Sequence, residues 1–489
     1  MDTDTADAVT RPSVNEEHGA DADVLAVFAV LWAAATLFHI WGPSGDAFNL
    51  FDHHSRLGLL QALSGVLAIA VIMRPRSLPL FAALTAVGPM VLWYEMPRTG
   101  SHWVVACFVD VAFLLTLLVT RNADRIASIF IPLARWVLII FYLFAAFAKY
   151  NHAFFTPSVS CGNYYFDELT GSLGLTVNSA SAGWSHLVPI SVAAIEMSIP
   201  FLLLFRRTRY VGVVVGLLFH GTIALDQTHL FSDFSSVLVA LFTLFLPAAF
   251  ARDVIAKVRR VSQPQQVRLL CALLVGLLLL LQWKQGDTRL FRDGIGWAWV
   301  VLIVTVFALV VVFLRSPHPM ADAHPLRLGV NRVPRWMAIL PVLVLLTGLS
   351  PYLELRTAYA FNMYSNLQTA NGDSNHLLVT RTLPLTDFES DLVQIKASNS
   401  PDLQLYAAGG FELPFLQLRA YVSQRQRNSD GTDVSLTYVR SGVEHVDARV
   451  RDDSALVEPV PEWEQKLFAF RALDETDPAR CQPTFLPAL

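Results

Sequence analysis

The chain has 489 residues, 54% of them hydrophobic and 16% charged, where an average soluble chain carries about 25% charge; a water-soluble globular or disordered chain is excluded, and an integral membrane protein is expected. The 36 Lys+Arg and 40 Asp+Glu residues give a net charge of −4, and without a Lys/Arg-rich block no nucleic-acid partner is expected. The four cysteines include no CxxC pair, which argues against a cysteine-based metal site.

The opening stretch MDTDTADAVTRPSVNEEHGADAD holds seven acids against one base, Arg11, and lacks the basic start of a signal peptide. Residues 1–22 read as a disordered acidic cytoplasmic tail. A hydrocarbon core about 30 Å thick needs roughly 17–25 helical residues. Eleven apolar runs fit or approach that window: 23–41, 58–73, 79–95, 102–119, 128–149, 187–205, 210–226, 231–248, 268–283, 296–314 and 336–350. The expected organisation is a transmembrane domain over 23–248, further transmembrane helices over 249–350, and a small α+β domain over 351–489: an all-α multi-span bundle of about 9–11 helices with a C-terminal appendage. Lys and Arg collect on the cytoplasmic side of short loops. The even-numbered connections hold sixteen bases, among them Arg206, Arg207, Arg259 and Arg260, and the odd-numbered ones five. The N-terminus is therefore expected inside and the C-terminal domain outside, in a bacterial cell membrane.

Within the spans, ionisable residues sort by depth. Asp110, Arg135, Glu196 and His220 each lie ten or eleven residues from a basic or aromatic marker at the inner end, about 15 Å at the rise of a helix. Isolated charges at that depth are costly, so mutual pairing is expected. The four form either a buried polar network or the lining of a proton path or ligand cavity. His39, His102, Lys149, His186, Asp226 and His229 fall instead in one layer at the outer end. Such residues serve as interfacial anchors, with Lys149 snorkelling to the headgroups, or as a site. An amine in an apolar pocket loses its proton more readily and then acts as a base, with a neutral His donating to an oxyanion.

The runs QPQQVRLLCALLVGLLLLLQW and IGWAWVVLIVTVFALVVVFLR read as plain packing spans. His318 and His324, six apart in a Pro-rich loop, are not expected to bind metal. In the outer domain, DLVQIKA, LQLYAAGGFELPF and DVSLTYVRSGVEHVDARV alternate with period two and read as strands, with a tight hairpin at Ser441–Gly442. LPFLQLRAYVSQRQRN is helix-like, and KLFAFRAL is a further strand candidate. The stretch AYAFNMYSNLQTANGDSNHLLV either covers an outer pocket or only links span to domain. Cys107 and Cys271 fall within spans, whereas Cys161 and Cys481 share the outer side and are either bridged or free thiols.

Three segments carry a family resemblance. PRTGSHWVV, FYLFAAFAKYNHAFFTPSVSC and LFHGTIALDQTHLFSDFSSVLVALFTLFLP resemble, in chain order, signature regions of the HTTM family, the membrane domain shared with vitamin K-dependent γ-glutamyl carboxylase. The resemblance spans roughly residues 23–247. It implies a quinol-dependent, carboxylase- or epoxidase-like reaction (lyase or oxidoreductase) with a reduced quinone, vitamin K or menaquinone hydroquinone, as cofactor. It further implies Lys149 as the base that deprotonates the quinol, His102 as the group that stabilises the anion, and His220 as a further pocket residue. Tyr150, Asn151 and His152 depart from the carboxylase, which has an apolar residue and then an acid at the first positions after its lysine, and the propeptide-gripping portion has no counterpart here. Membrane lipid and an outer protein or peptide substrate are the partners implied. Set against this enzyme is a non-catalytic assembly protein that holds lipid or a partner.

Overall fold

The computed structural model describes residues 14–41, 56–261, 289–316, 333–427, 434–449 and 454–482, except 98, 227 and 230, with a few positions between 265 and 276. Most of the expected tail, most of the candidate span 268–283, Cys271, His318 and His324 lie outside these residues.

The fold is mainly helical. α1 (Val14–Trp41) begins inside the stretch expected to be tail and is followed by α2 (Arg56–Met73), α3 (Leu78–Glu95), α4 (Ser101–Val119) and α5 (Ala123–Phe147). Two short helices, α6 (His152–Phe155) and α7 (Cys161–Ser172), precede α8 (Leu187–Leu204), α9 (Arg209–Ile223), α10 (Ser232–Thr243) and α11 (Ala248–Val261). Among the described residues eight helices are long and apolar enough to cross a membrane: α1 to α5, α8, Gly294–Arg315 and Arg335–Leu353. Each is predominantly apolar along its length and carries few charges. α5 is 83% buried and α8 33%, so α5 is the axis of the bundle and α8 lies at its edge.

Two expected spans differ. α9 has only 15 residues, and the run 231–248 is not one rod, because α10 and α11 meet at 112°. Pro247 sits at the bend and offers no N–H to carry the helix on. The end of α10 leaves carbonyls without helical partners, and Arg135 of α5 supplies one: its Nε donates to the Leu244 carbonyl at 2.7 Å.

The C-terminal domain holds a five-stranded antiparallel sheet, ordered β6-β5-β3-β4-β7, where β3 is Leu392–Ser398, β4 Phe411–Pro414, β5 Ser435–Arg440, β6 Val443–Arg449 and β7 Leu473–Asp474. A separate two-stranded ribbon pairs β1 (Thr369–Ala370) with β2 (Asp373–Ser374). Val393 and Ile395 alternate into a core shared with Leu403, Tyr406 and Tyr438. The hairpin turns at Ser441 and Gly442, both with positive φ (50° and 77°), as a tight two-residue turn requires. The expected strand over LQLYAAGG is instead a helix, Pro401–Gly409. Proline opens it, left-handed Gly410 closes it, and buried Leu403 and Tyr406 stand three apart on one face. KLFAFRAL supplies only the start of β7, its first residues closing the helix Glu462–Leu467.

The domain is fastened to the bundle. Lys466 Nζ donates to the Trp93 carbonyl at 2.7 Å, and a disulfide joins Cys161, at the start of α7, to Cys481 across a sequence separation of 320. Replacing both cysteines by serine is expected to lower stability by about 2–4 kcal/mol through the freed loop of the unfolded chain; equilibrium unfolding in mixed micelles with and without reductant measures it, and an unchanged midpoint would contradict it.

Candidate functional site

Lys149 stands just beyond the end of α5, and the chain there is fixed by Asn151. The Asn151 side chain accepts from Phe154 N at 2.8 Å, capping α6, and donates to the carbonyls of Ala148 (2.8 Å) and Ser365 (2.5 Å). So held, Lys149 turns inward. Its Nζ lies 2.7 Å from Glu196 Oε2 on α8, an ion pair not aligned as a directed hydrogen bond, and donates to the carbonyls of Ala145 (3.3 Å) and Met363 (3.4 Å). The side chains are 7% and 14% exposed, so the ammonium does not reach outward as an anchor would.

The pair lines a cavity of about 130 Å³ whose other walls include Tyr142, Phe154, His220, Phe231, Phe361 and Tyr364. An apolar cavity of roughly 150 Å³ accepts benzene, and this one is close to that size. Both nitrogens of His220 are engaged, Nε2 with the Tyr142 hydroxyl and Nδ1 with Ser235 Oγ at 3.3 Å. Phe361, Met363 and Tyr364 come from the stretch that could either cover a pocket or merely link, and they form part of this wall. The backbone there is strained: Tyr359, Phe361, Tyr364 and Asn366 all have φ between 42° and 62°, a region costly for bulky residues, about 1–3 kcal/mol each. What holds it is polar. Asn366 Nδ2 donates to the carbonyls of Val159 (2.9 Å) and Ala479 (3.0 Å), and its Oδ1 accepts from Cys161 N (2.9 Å), beside the disulfide.

His102 does not share this cavity, contrary to the expected Lys149–His102 site. Its Nε2 donates to Asp233 Oδ2 at 3.1 Å, and Trp103 Nε1 donates to the same carboxylate at 3.1 Å. His39 joins them, with Nδ1 3.5 Å from Asp233 and Nε2 2.8 Å from Glu95, which also accepts from Gln61 at 3.1 Å. Phe234 separates the two assemblies, its ring centroid 5.3 Å from that of His102 and 5.1 Å from that of His220. A side chain at Gly100 would come within 2.4 Å of the His102 ring, so glycine is what lets that ring reach Asp233.

Among the described residues Asp110, Arg135, Glu196 and His220 do not form the expected mutual network. Asp110 accepts from Trp32 Nε1 at 2.9 Å, Arg135 serves the α10 end, and Glu196 and His220 meet only as walls of the Lys149 cavity. Of the outer layer, His229 pairs with Asp226 at 2.9 Å, while His186 is exposed. His376 ties the domain to the end of α5: Nε2 donates to the Phe147 carbonyl at 2.8 Å and Nδ1 accepts from Leu378 N at 3.0 Å and Val379 N at 3.1 Å. That pattern requires a neutral ring, and burial lowers its pKa, partly offset by the Phe147 bond.

Nothing in the sequence alone marks Asp233, Glu95, Trp103 or Tyr142 as part of a site. Asp233 and Tyr142 stand inside the quoted segments, but nothing local marks their partners, 130 and 78 residues away. Among the described residues no group of three or more His, Cys, Asp or Glu is placed to hold a metal ion. Comparison of the chain with protein-family models, curated proteins and solved structures returns no match.

Proposed function

We propose that the Lys149–Glu196 pair deprotonates a lipophilic phenol or quinol whose ring occupies the aromatic cavity near the outer leaflet, with the C-terminal domain outside the cell. The observation that carries this reading is a buried amine–carboxylate pair set in the wall of a ring-sized cavity. The proton acceptor is the Lys149 amine in its unprotonated form, and Glu196, 2.7 Å away, steadies the ammonium that results. The phenolic O–H bond breaks, its proton passes to the amine, and the electron pair stays on oxygen beside a cation, where a dry site strengthens the attraction. The Tyr142–His220 couple in the same wall stabilises the resulting anion, the role that the family resemblance assigned to His102.

The test is oxygen uptake by the detergent-solubilised protein with reduced menaquinone or vitamin K. Loss of a general base costs typically 10²–10⁴-fold, and Lys149→Arg is expected to lose as much as Lys149→Ala, since arginine stays protonated. No turnover in the unaltered protein, or turnover preserved in Lys149→Arg, would refute the reading. One observation favours the second reading, a non-catalytic lipid- or partner-holding protein: Lys149 already has a partner in Glu196, as a purely structural lysine would.

A further inference from the structure

At the opposite end of the bundle from the C-terminal domain lies a larger hollow, about 490 Å³, between α1, α11 and the helix Gly294–Arg315. Its size falls within the roughly 300–1,000 Å³ of clefts that hold ligands. Each wall presents one apolar helical face: Ala26 and Val30 from α1, Phe250, Val254 and Val258 from α11, and Leu302, Val306 and Leu309 from the third helix, spacings of three and four that stack side chains on one side. Close-packed interiors leave few voids larger than a water molecule. A gap of this volume with apolar walls is therefore matched to an apolar occupant.

Its rim is of the other kind. Arg74 and Arg76, from the turn between α2 and α3, meet Arg259, from the last turn of α11, and Arg268. Arg76 binds Asp23 at 2.5 Å, and Arg268 donates to the Met73 carbonyl at 2.7 Å. Neither Arg74 nor Arg259 has a side-chain partner among the described residues, and both are exposed. α11 itself turns 112° from α10 and carries basic residues beside its apolar face, the composition of a helix that lies along an anionic membrane surface. Basic pockets between transmembrane helices on the cytoplasmic side bind anionic headgroups, and loop charge assigns this end to the cytoplasm.

We propose that this groove holds one anionic phospholipid, its phosphate between Arg74 and Arg259 and an acyl chain along the faces of α1, α11 and Gly294–Arg315. Free phosphate lacks the apolar part, and a zwitterionic lipid brings its own cation against the arginines.

The test begins with the unaltered protein in detergent, titrated with phosphatidylglycerol, phosphatidylcholine or inorganic phosphate while bound lipid is counted by native mass spectrometry. One phosphatidylglycerol per chain is expected, with phosphatidylcholine at least tenfold weaker and no competition from phosphate. Arg74→Gln with Arg259→Gln should weaken phosphatidylglycerol at least tenfold, and Val254→Trp, which fills the groove, should remove it. Equal retention of the two lipids, displacement by phosphate alone, or undiminished binding in Val254→Trp would overturn the proposal. If the arginine variant does not fold, the lipid comparison in the unaltered protein and the Val254→Trp result decide.

Discussion

Lys149→Ala is expected to destabilise the protein by about 3–5 kcal/mol, the cost of breaking a buried ion pair from one side. Glu196 would keep its carboxylate in a wall of aromatic and aliphatic side chains, with Tyr142 and His220 already bonded to each other. Removing both charges is a different matter, since apolar replacements of similar volume are often neutral or stabilising. The double variant Lys149→Met/Glu196→Leu should therefore recover to within about 1 kcal/mol of the parent. Equilibrium unfolding in mixed micelles of fixed composition reads both. A single variant no less stable than the double one would mean that the pair is not desolvated. The double variant also separates folding from chemistry, because it should fold and yet turn over no quinol.

Asp233→Ala is the second large effect. The carboxylate at the start of α10 receives His102 and Trp103 and faces His39, so one substitution strips the acceptor from groups on α1 and α4. Hydrogen bonds to charged groups contribute about 1.5–3 kcal/mol each without adding fully, and a total loss of roughly 3–5 kcal/mol is expected. Asp233→Asn retains one acceptor oxygen and the shape, and should cost less than half as much. Were the Ala and Asn variants equally stable, the carboxylate would not be what gathers α1, α4 and α10.

Much of the bundle was legible because a long apolar run has few alternatives: α2, α3, α4, α8 and Gly294–Arg315 lie within a few residues of the expected spans. The turn of the chain after α10 was hidden inside one such run, although Pro247 stood at its end. Where apolar and polar residues mix, as in LQLYAAGG, two periods compete, and the flanking Pro401 and Gly410 decided for a helix over a strand. Lys149 is conspicuous in the sequence because a charge beside a span is costly, and Glu196 and His220 stand out for the same reason. That Glu196 serves Lys149, and that His102 serves Asp233, depends on which helix faces meet. A single sequence contains no local signal for that.

The 320-residue separation of Cys161 and Cys481 has a bearing on biogenesis. Translation must pass every helix from α7 onward before the second thiol exists, so the two sulfurs can meet only when nearly all of the intervening polypeptide has been made. The covalent tie is thus a stamp applied late, and a chain halted before residue 481 would carry Cys161 without its partner.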